Sequence, residues 1–189
     1  TCIKLYDFTS AIKCYAEVFE IGRVHYANKP GKVAFYLSNL GKTYLELGHP
    51  LKAVACLERA EQIALKEYGD KPLARMINNL GAEMASHYHN LALAWKEAGN
   101  PKKALDLLKN SMIIDAETER EFHPAHAFHL NTMGMCYFDL GNSEKALECL
   151  VKVLEIRLPL FGEEHLDTAI TFRNSGNVWH FNGHDMKAL

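Results

Sequence analysis

The sequence lacks a dominant charge. Lys and Arg number 21 against 23 Asp and Glu in 189 residues, a net charge of −2. No basic excess is available to neutralise phosphates or hold an anionic membrane, so nucleic-acid and membrane partners are disfavoured. Long apolar runs are also missing: nothing approaches the ~20 residues of a membrane-spanning helix. The polar start Thr1-Cys2-Ile3-Lys4 has no signal-peptide core. Cysteines are few and odd in number (Cys2, Cys14, Cys56, Cys136 and Cys149) and contain no C-x-x-C. Neither a disulfide framework nor a paired-cysteine zinc site is signalled, and a reducing, cytoplasmic compartment fits best. There is no G-x-S-x-G elbow, no H-E-x-x-H and no phosphate loop, so neither catalysis nor a cofactor is expected of this segment. With 48% apolar and 23% charged residues the composition is that of a packed protein, which argues against a disordered chain. Residue 1 is Thr and the sequence stops within a helical pattern at Met186-Lys187-Ala188-Leu189, which reads as a piece of a longer protein.

What the sequence does contain is a repeat. SNLGKTYLELG (38–48), HNLALAWKEAG (89–99), NTMGMCYFDLG (131–141) and RNSGNVWHFNG (173–183) align without gaps, and Gly99, Gly141 and Gly183 follow one another at intervals of 42. Small residues recur at Gly41, Ala92, Gly134 and Gly176, and aromatics at Tyr44, Trp95, Tyr137 and Trp179. Turn glycines follow at Gly48, Gly99, Gly141 and Gly183, and alanines at Ala53, Ala104, Ala146 and Ala188. A further copy of the second segment opens the chain at Asp7, with Ala11 and Tyr15 in register, and Ile21, Ile63, Ile114 and Ile156 complete an apolar stripe. Offsets of three, four and seven predict helices, and no stretch alternates as a strand would. Each repeat is therefore expected to be a helical hairpin. A left-handed glycine closes its first helix, and His49-Pro50, Asn100-Pro101 and Asn142-Ser143 start its second. Cys14, Cys56 and Cys149 share one repeat position, too far apart to bridge, and read as small buried residues.

These columns resemble the tetratricopeptide repeat. Leu37, Tyr88, Leu130 and Phe172 take its tryptophan position, Leu40, Leu91, Met133 and Ser175 its leucine, and Ala60, Ser111 and Val153 its second alanine. The 42-residue period exceeds the usual ~34 and is similar to the long-helix repeats of kinesin light chains. So are the junctions EFHPAHA (121–127) and FGEEHLDTA (161–169), with His123 and His165 in register. The resemblance implies an all-α, right-handed superhelical solenoid of antiparallel helix pairs, truncated at both ends. Its parts are the second helix of a partial repeat (1–30), a repeat (31–69), a repeat with a nine-residue insertion (70–120), a repeat (121–162) and a partial repeat (163–189). The insertion follows from the 51-residue interval between Gly48 and Gly99. Nine residues inside a continuous helix would turn its downstream face by half a circle, so a loop, a short extra helix or a bulged-out turn is expected within 70–88. Asn79-Leu80-Gly81 copies Asn39-Leu40-Gly41, so a partial duplication or a mistaken exon boundary would also account for it.

The resemblance further implies a scaffold or adaptor whose first helices line a concave groove for a short peptide or a partner helix. The matching positions are Ser38, Asn39, Lys42 and Leu45; His89, Asn90, Leu93 and Lys96; Asn131, Met135 and Phe138; and Arg173, Asn174, Asn177 and His180. Asn39, Asn90 and Asn174 share a column where an amide can both donate to and accept from a peptide backbone. The clamp that holds chaperone tails is not reproduced: its sites read Ser38, Lys42, Asn90, Phe128 and Thr132, of which only Asn90 fits. Phe128, Met135 and Phe138 offer an apolar stretch for an anchor, or alternatively belong to the core. Two other roles stay open: a sensor or autoinhibitory region of a multidomain signalling protein or ATPase, and a self-assembling structural array. His89 and His180 would make the groove pH-sensitive. A metal site is disfavoured, because His126 and His129 lie three apart with no third ligand evident and His123 is expected at a helix start.

Overall fold

The computed structural model describes residues 30–68, 72–117 and 123–182, together with Lys13, Glu17, Glu20 and Ile21; side chains within the three segments are described for 31–66, 85–116 and 123–182. Seven helices occur among the described residues, and no strand: α1 (Pro30–Glu46), α2 (Pro50–Tyr68), α3 (Pro72–Glu97), α4 (Pro101–Glu117), α5 (Pro124–Asp139), α6 (Ser143–Phe161) and α7 (Leu166–Phe181). The chain divides into two compact units, Thr1–Glu83 and Met84–Leu189. Most of the opening copy from Asp7, with Ala11, Cys14 and Tyr15, lies outside the described residues, as do Cys2, Gly183 and the segment ending at Leu189.

The expected turns are present. Gly48, Gly99 and Gly141 adopt φ of 71°, 83° and 77°, the left-handed region that a side chain disfavours. The residue after each glycine reaches back to the aromatic column: the amides of His49, Asn100 and Asn142 donate to the carbonyls of Tyr44, Trp95 and Tyr137 at 2.8, 2.8 and 2.9 Å. This closure satisfies carbonyls that the helix end leaves without partners. The next helix starts at once, with Pro50 and Pro101 as first residues of α2 and α4. Asn100 and Asn142 accept through Oδ1 from the amides of Lys103 and Lys145, both at 3.1 Å.

Small residues set how closely the helices approach. In the first unit a Cβ on Gly41 would lie 2.6 Å from Leu57 Cγ, across the α1–α2 contact. In the second, a Cβ on Gly134 would lie 3.1 Å from the Ala146 carbonyl oxygen and 3.2 Å from Cys149 Cβ. Ala53, Ala104 and Ala146 are fully buried. The second unit builds its core by sharing α5. Ala92, Ala104, Leu105, Leu108 and Cys136 join α3, α4 and α5; Ala127, Leu130, Val153 and Ile156 join α5 and α6; Ala146, Leu150 and Val178 join α6 and α7. Burial raises the Cys56 and Cys149 thiols and pushes Cys136 up to about 12. Above the aromatic column stands a lysine column that the sequence reading did not single out. Lys52, Lys103 and Lys145 lie 5.6, 3.8 and 5.6 Å from the ring centroids of Tyr44, Trp95 and Tyr137.

Two expectations are corrected. Within the longer interval, the described residues from Pro72 onward form no loop, short extra helix or bulged-out turn; they belong to the 26-residue α3. Helical hydrogen bonding continues there because no proline or left-handed glycine follows Pro72 until Gly99. Ile21 is exposed rather than part of the buried stripe, which Ile114 and Ile156 do join.

Candidate functional site

The expected groove residues all sit on the first helices of the hairpins. In the first unit, α1 carries Ser38, Asn39 and Leu45, all half-buried, and the exposed Lys42. In the second unit they lie on α3, α5 and α7, and three contacts tie these helices together. Lys96 Nζ lies 3.6 Å from an Asp139 oxygen and 3.2 Å from Glu97. Burial works to lower the Lys96 pKa, but the two carboxylates outweigh it and hold it above the ordinary value. Asn174 Nδ2 donates to Asn131 Oδ1 at 3.0 Å, linking α7 to α5. The Phe138 ring meets Phe181 edge-on at 5.4 Å. Asn90, Leu93 and Met135 are half-buried, and Arg173, Asn177 and His180 are exposed.

Several of these side chains are committed elsewhere. Asn174 is buried and has already given a donor to Asn131, so its column is not uniformly available to a ligand. Phe138 packs on Ala146, Leu150 and Val178. Phe128 lies 4.9 Å from the Arg157 guanidinium carbon. The apolar stretch is thus divided between core packing and a cation–π contact. His89 is packed 5.0 Å from the His129 ring, and its pKa is pushed down to about 3 by burial, with a further contribution from His129. It stays neutral at physiological pH, which removes it as the basis of a pH-sensitive groove.

Between the hairpins of the second unit lie buried polar residues that the groove does not use. At the end of α4, Asp115 is fully buried, and its Oδ2 accepts from His126 Nδ1 at 2.9 Å and His129 Nδ1 at 2.6 Å. An ionised carboxylate only accepts, so both imidazoles carry their proton on Nδ1. Burial acts to raise the Asp115 pKa, but the hydrogen bonds and charge of the two histidines overcome it and bring the value down to about 2. His123 and His165 instead cap α5 and α7, accepting through Nδ1 from the amides of Ala125 and Asp167. The reasoning that His126 and His129 lack a third ligand is therefore corrected: Asp115, on the preceding helix, brings one ligand atom to a cluster within 4.8 Å.

One repeat later, the position of Asp115 is taken by Arg157 and that of His129 by Thr171. Arg157 is 2% exposed and donates through one nitrogen to the Asp167 carbonyl at 2.6 Å and to Thr171 Oγ1 at 2.8 Å. Burial lowers its pKa and Asp167 opposes that. The sequence did contain a signal for both: a charged residue directly after the stripe isoleucines Ile114 and Ile156, where the first hairpin has Ala64.

The tetratricopeptide repeat family matches residues 83–158 and 127–188, and a second tetratricopeptide repeat profile matches 36–67. No curated protein matches the chain. Among solved structures, a putative kinesin light chain of Podosopora anserina with nearly identical TPR-like repeats superposes with a TM-score of 0.74 at 21% identity, covering 96% of this chain and 82% of that one. BtubC (BKLC) from P. vanneervenii also gives 0.74, at 20% identity, covering 96% and 69%. The apo form of RapI gives 0.68 at 18%, covering 96% and 46%. With its left-handed glycine turns, small-residue columns and all-helical hairpins, the chain belongs to the tetratricopeptide repeat family, and its fold is similar to that of kinesin-light-chain-like repeat proteins.

Proposed function

We propose that the chain is a non-enzymatic adaptor that binds a short peptide or a partner helix along the first helices α3, α5 and α7 of its second unit. The fold is one that serves protein–protein interaction. The observation that carries the finer reading is the Asn174–Asn131 bond with the Lys96–Asp139 contact: first helices of successive repeats stand side by side with polar side chains directed at one another. Exposed Arg173, Asn177 and His180 and half-buried Asn90 and Met135 then flank a polar seam that an extended ligand can follow. Lys96 and Arg173 are balanced by Glu97 and Asp139, so the ligand is chosen by hydrogen bonding and shape more than by charge. Among the described residues no helix is long and apolar enough to cross a membrane.

A peptide array probed with the chain, and with Asn90→Ala and Arg173→Ala/Asn177→Ala variants of unchanged circular dichroism, tests this. Loss of the bound peptides at least tenfold in both variants supports the first-helix face. Binding retained in both places the ligand elsewhere on the molecule.

A further inference from the structure

We propose that Asp115, His126 and His129 form a binding site for one divalent transition-metal ion of borderline softness, zinc in the first instance, which ties α4 to α5. His126 and His129 are one helical turn apart on the same face of α5, and Asp115 reaches them from the end of α4. All three are buried, and one ligand atom from each lies within 4.8 Å of the others. Two imidazole nitrogens and a carboxylate oxygen are a donor set that suits zinc, cobalt or nickel and not the hard, all-oxygen preference of calcium or magnesium. Tetrahedral bonds of ~2.0–2.1 Å hold ligand atoms roughly 3.3 Å apart. The present hydrogen bonds of 2.6 and 2.9 Å therefore have to open by about half an ångström as the ion replaces the two Nδ1 protons. Each ring then carries its proton on Nε2 and gives the Nδ1 lone pair to the metal.

A second observation points the same way. His89, on α3, lies against His129 with ring centroids 5.0 Å apart, and its Nδ1 is buried with no hydrogen-bond partner among the described residues. It lies beside the three ligands and not among them, a place suited to a group that answers a metal-bound water. The donors also occur together at this junction alone among the described ones. By sequence the corresponding positions are Ala64, Met84 and His87 one repeat earlier, and Arg157, Thr168 and Thr171 one repeat later. Repeat architecture by itself does not produce the set.

The test uses the whole chain after removal of metal by a chelator. Cobalt titration is expected to give visible absorption saturating at one equivalent. Zinc at about 100 times its dissociation constant is expected to raise the melting temperature by about 5–10 °C. His126→Gln and His129→Gln should each weaken metal binding at least 10-fold, whereas a His49→Gln variant should bind the metal as wild type. X-ray absorption of the zinc-loaded wild type does not depend on the variants folding, and should show at least two imidazoles at ~2.0–2.1 Å. Absence of saturable cobalt absorption, binding unchanged in both His→Gln variants, or fewer than two imidazoles in the absorption spectrum overturns the site.

Discussion

Two junctions in the second unit occupy the same place in the repeat and are filled with opposite charge. Between α4 and α5, Asp115 is ringed by two imidazoles; between α6 and α7, Arg157 is held by a hydroxyl and a backbone carbonyl. The backbone is indifferent to the sign. What each junction requires is a first helix whose opening turns answer the charge: donors at 126 and 129 for a carboxylate, acceptors at 167 and 171 for a guanidinium. One repeat earlier the position of Asp115 and Arg157 is taken by Ala64, so the hairpin itself needs no charge there. The junctions thus differ in chemistry while the hairpins repeat, and a buried ion without its answering groups costs more than any single apolar contact.

The largest expected effect comes from exchanging the signs. Asp115→Arg sets a guanidinium against His126 and His129, and the second unit should lose its cooperative thermal transition in circular dichroism. Adding His126→Thr and His129→Thr copies the later junction and should restore a transition. If the triple variant melts no better than the single one, the two junctions are not interchangeable. Next come the simple removals, Asp115→Ala and Arg157→Ala. Each leaves buried polar partners unanswered and should cost about 3–5 kcal/mol by urea unfolding.

A pH series sharpens the comparison, because His87 occupies the repeat position of His129 and Thr171 but is governed by burial, which lowers its pKa from 6.5 to about 4. Between those values the unfolded chain binds the proton and the folded chain does not. Stability is therefore full above pH 6.5 and falls as the pH drops toward 4, with about 2 kcal/mol lost by pH 5. His89, lowered to about 3, adds a similar loss over the same range, so His87→Phe should remove about half of the slope in urea titrations at pH 7 and pH 5. The smallest effect is expected for Thr171→Val, which removes one of two acceptors for Arg157 and should cost about 1 kcal/mol. A loss as large as that of Arg157→Ala would mean that the hydroxyl, and not the Asp167 carbonyl, carries the junction.

The hairpins were legible in the sequence because their causes are local and recur: a glycine that must be left-handed, a proline or asparagine that starts the next helix, and small residues where two helices touch. The placement of the face residues on first helices was legible for the same reason, since Asn39, Asn90 and Asn174 stand at one distance before Gly48, Gly99 and Gly183. What each face residue does was not. Asn174 and Asn131 are 43 residues apart, and nothing in either neighbourhood states that they bond. Phe128, open in the sequence between an anchor and the core, lies against Arg157 on the second helix of the same hairpin. His89 looked like a titrating group because its burial depends on His129 of the next repeat. The longer interval before Gly99 suggests a loop, a short extra helix or a bulged-out turn because a rotated face is unfavourable, yet from Pro72 onward the helix continues.

The sequence by itself determined the helical hairpins, their turns and the columns that let them pack, because backbone conformation and side-chain size at a repeated offset are properties of a few neighbouring residues. Only the tertiary structure decided which ionisable groups lie buried, which of them answer one another and which remain at the surface. Those outcomes depend on exclusion of water and on partners from another helix, and both exist only once the helices are packed.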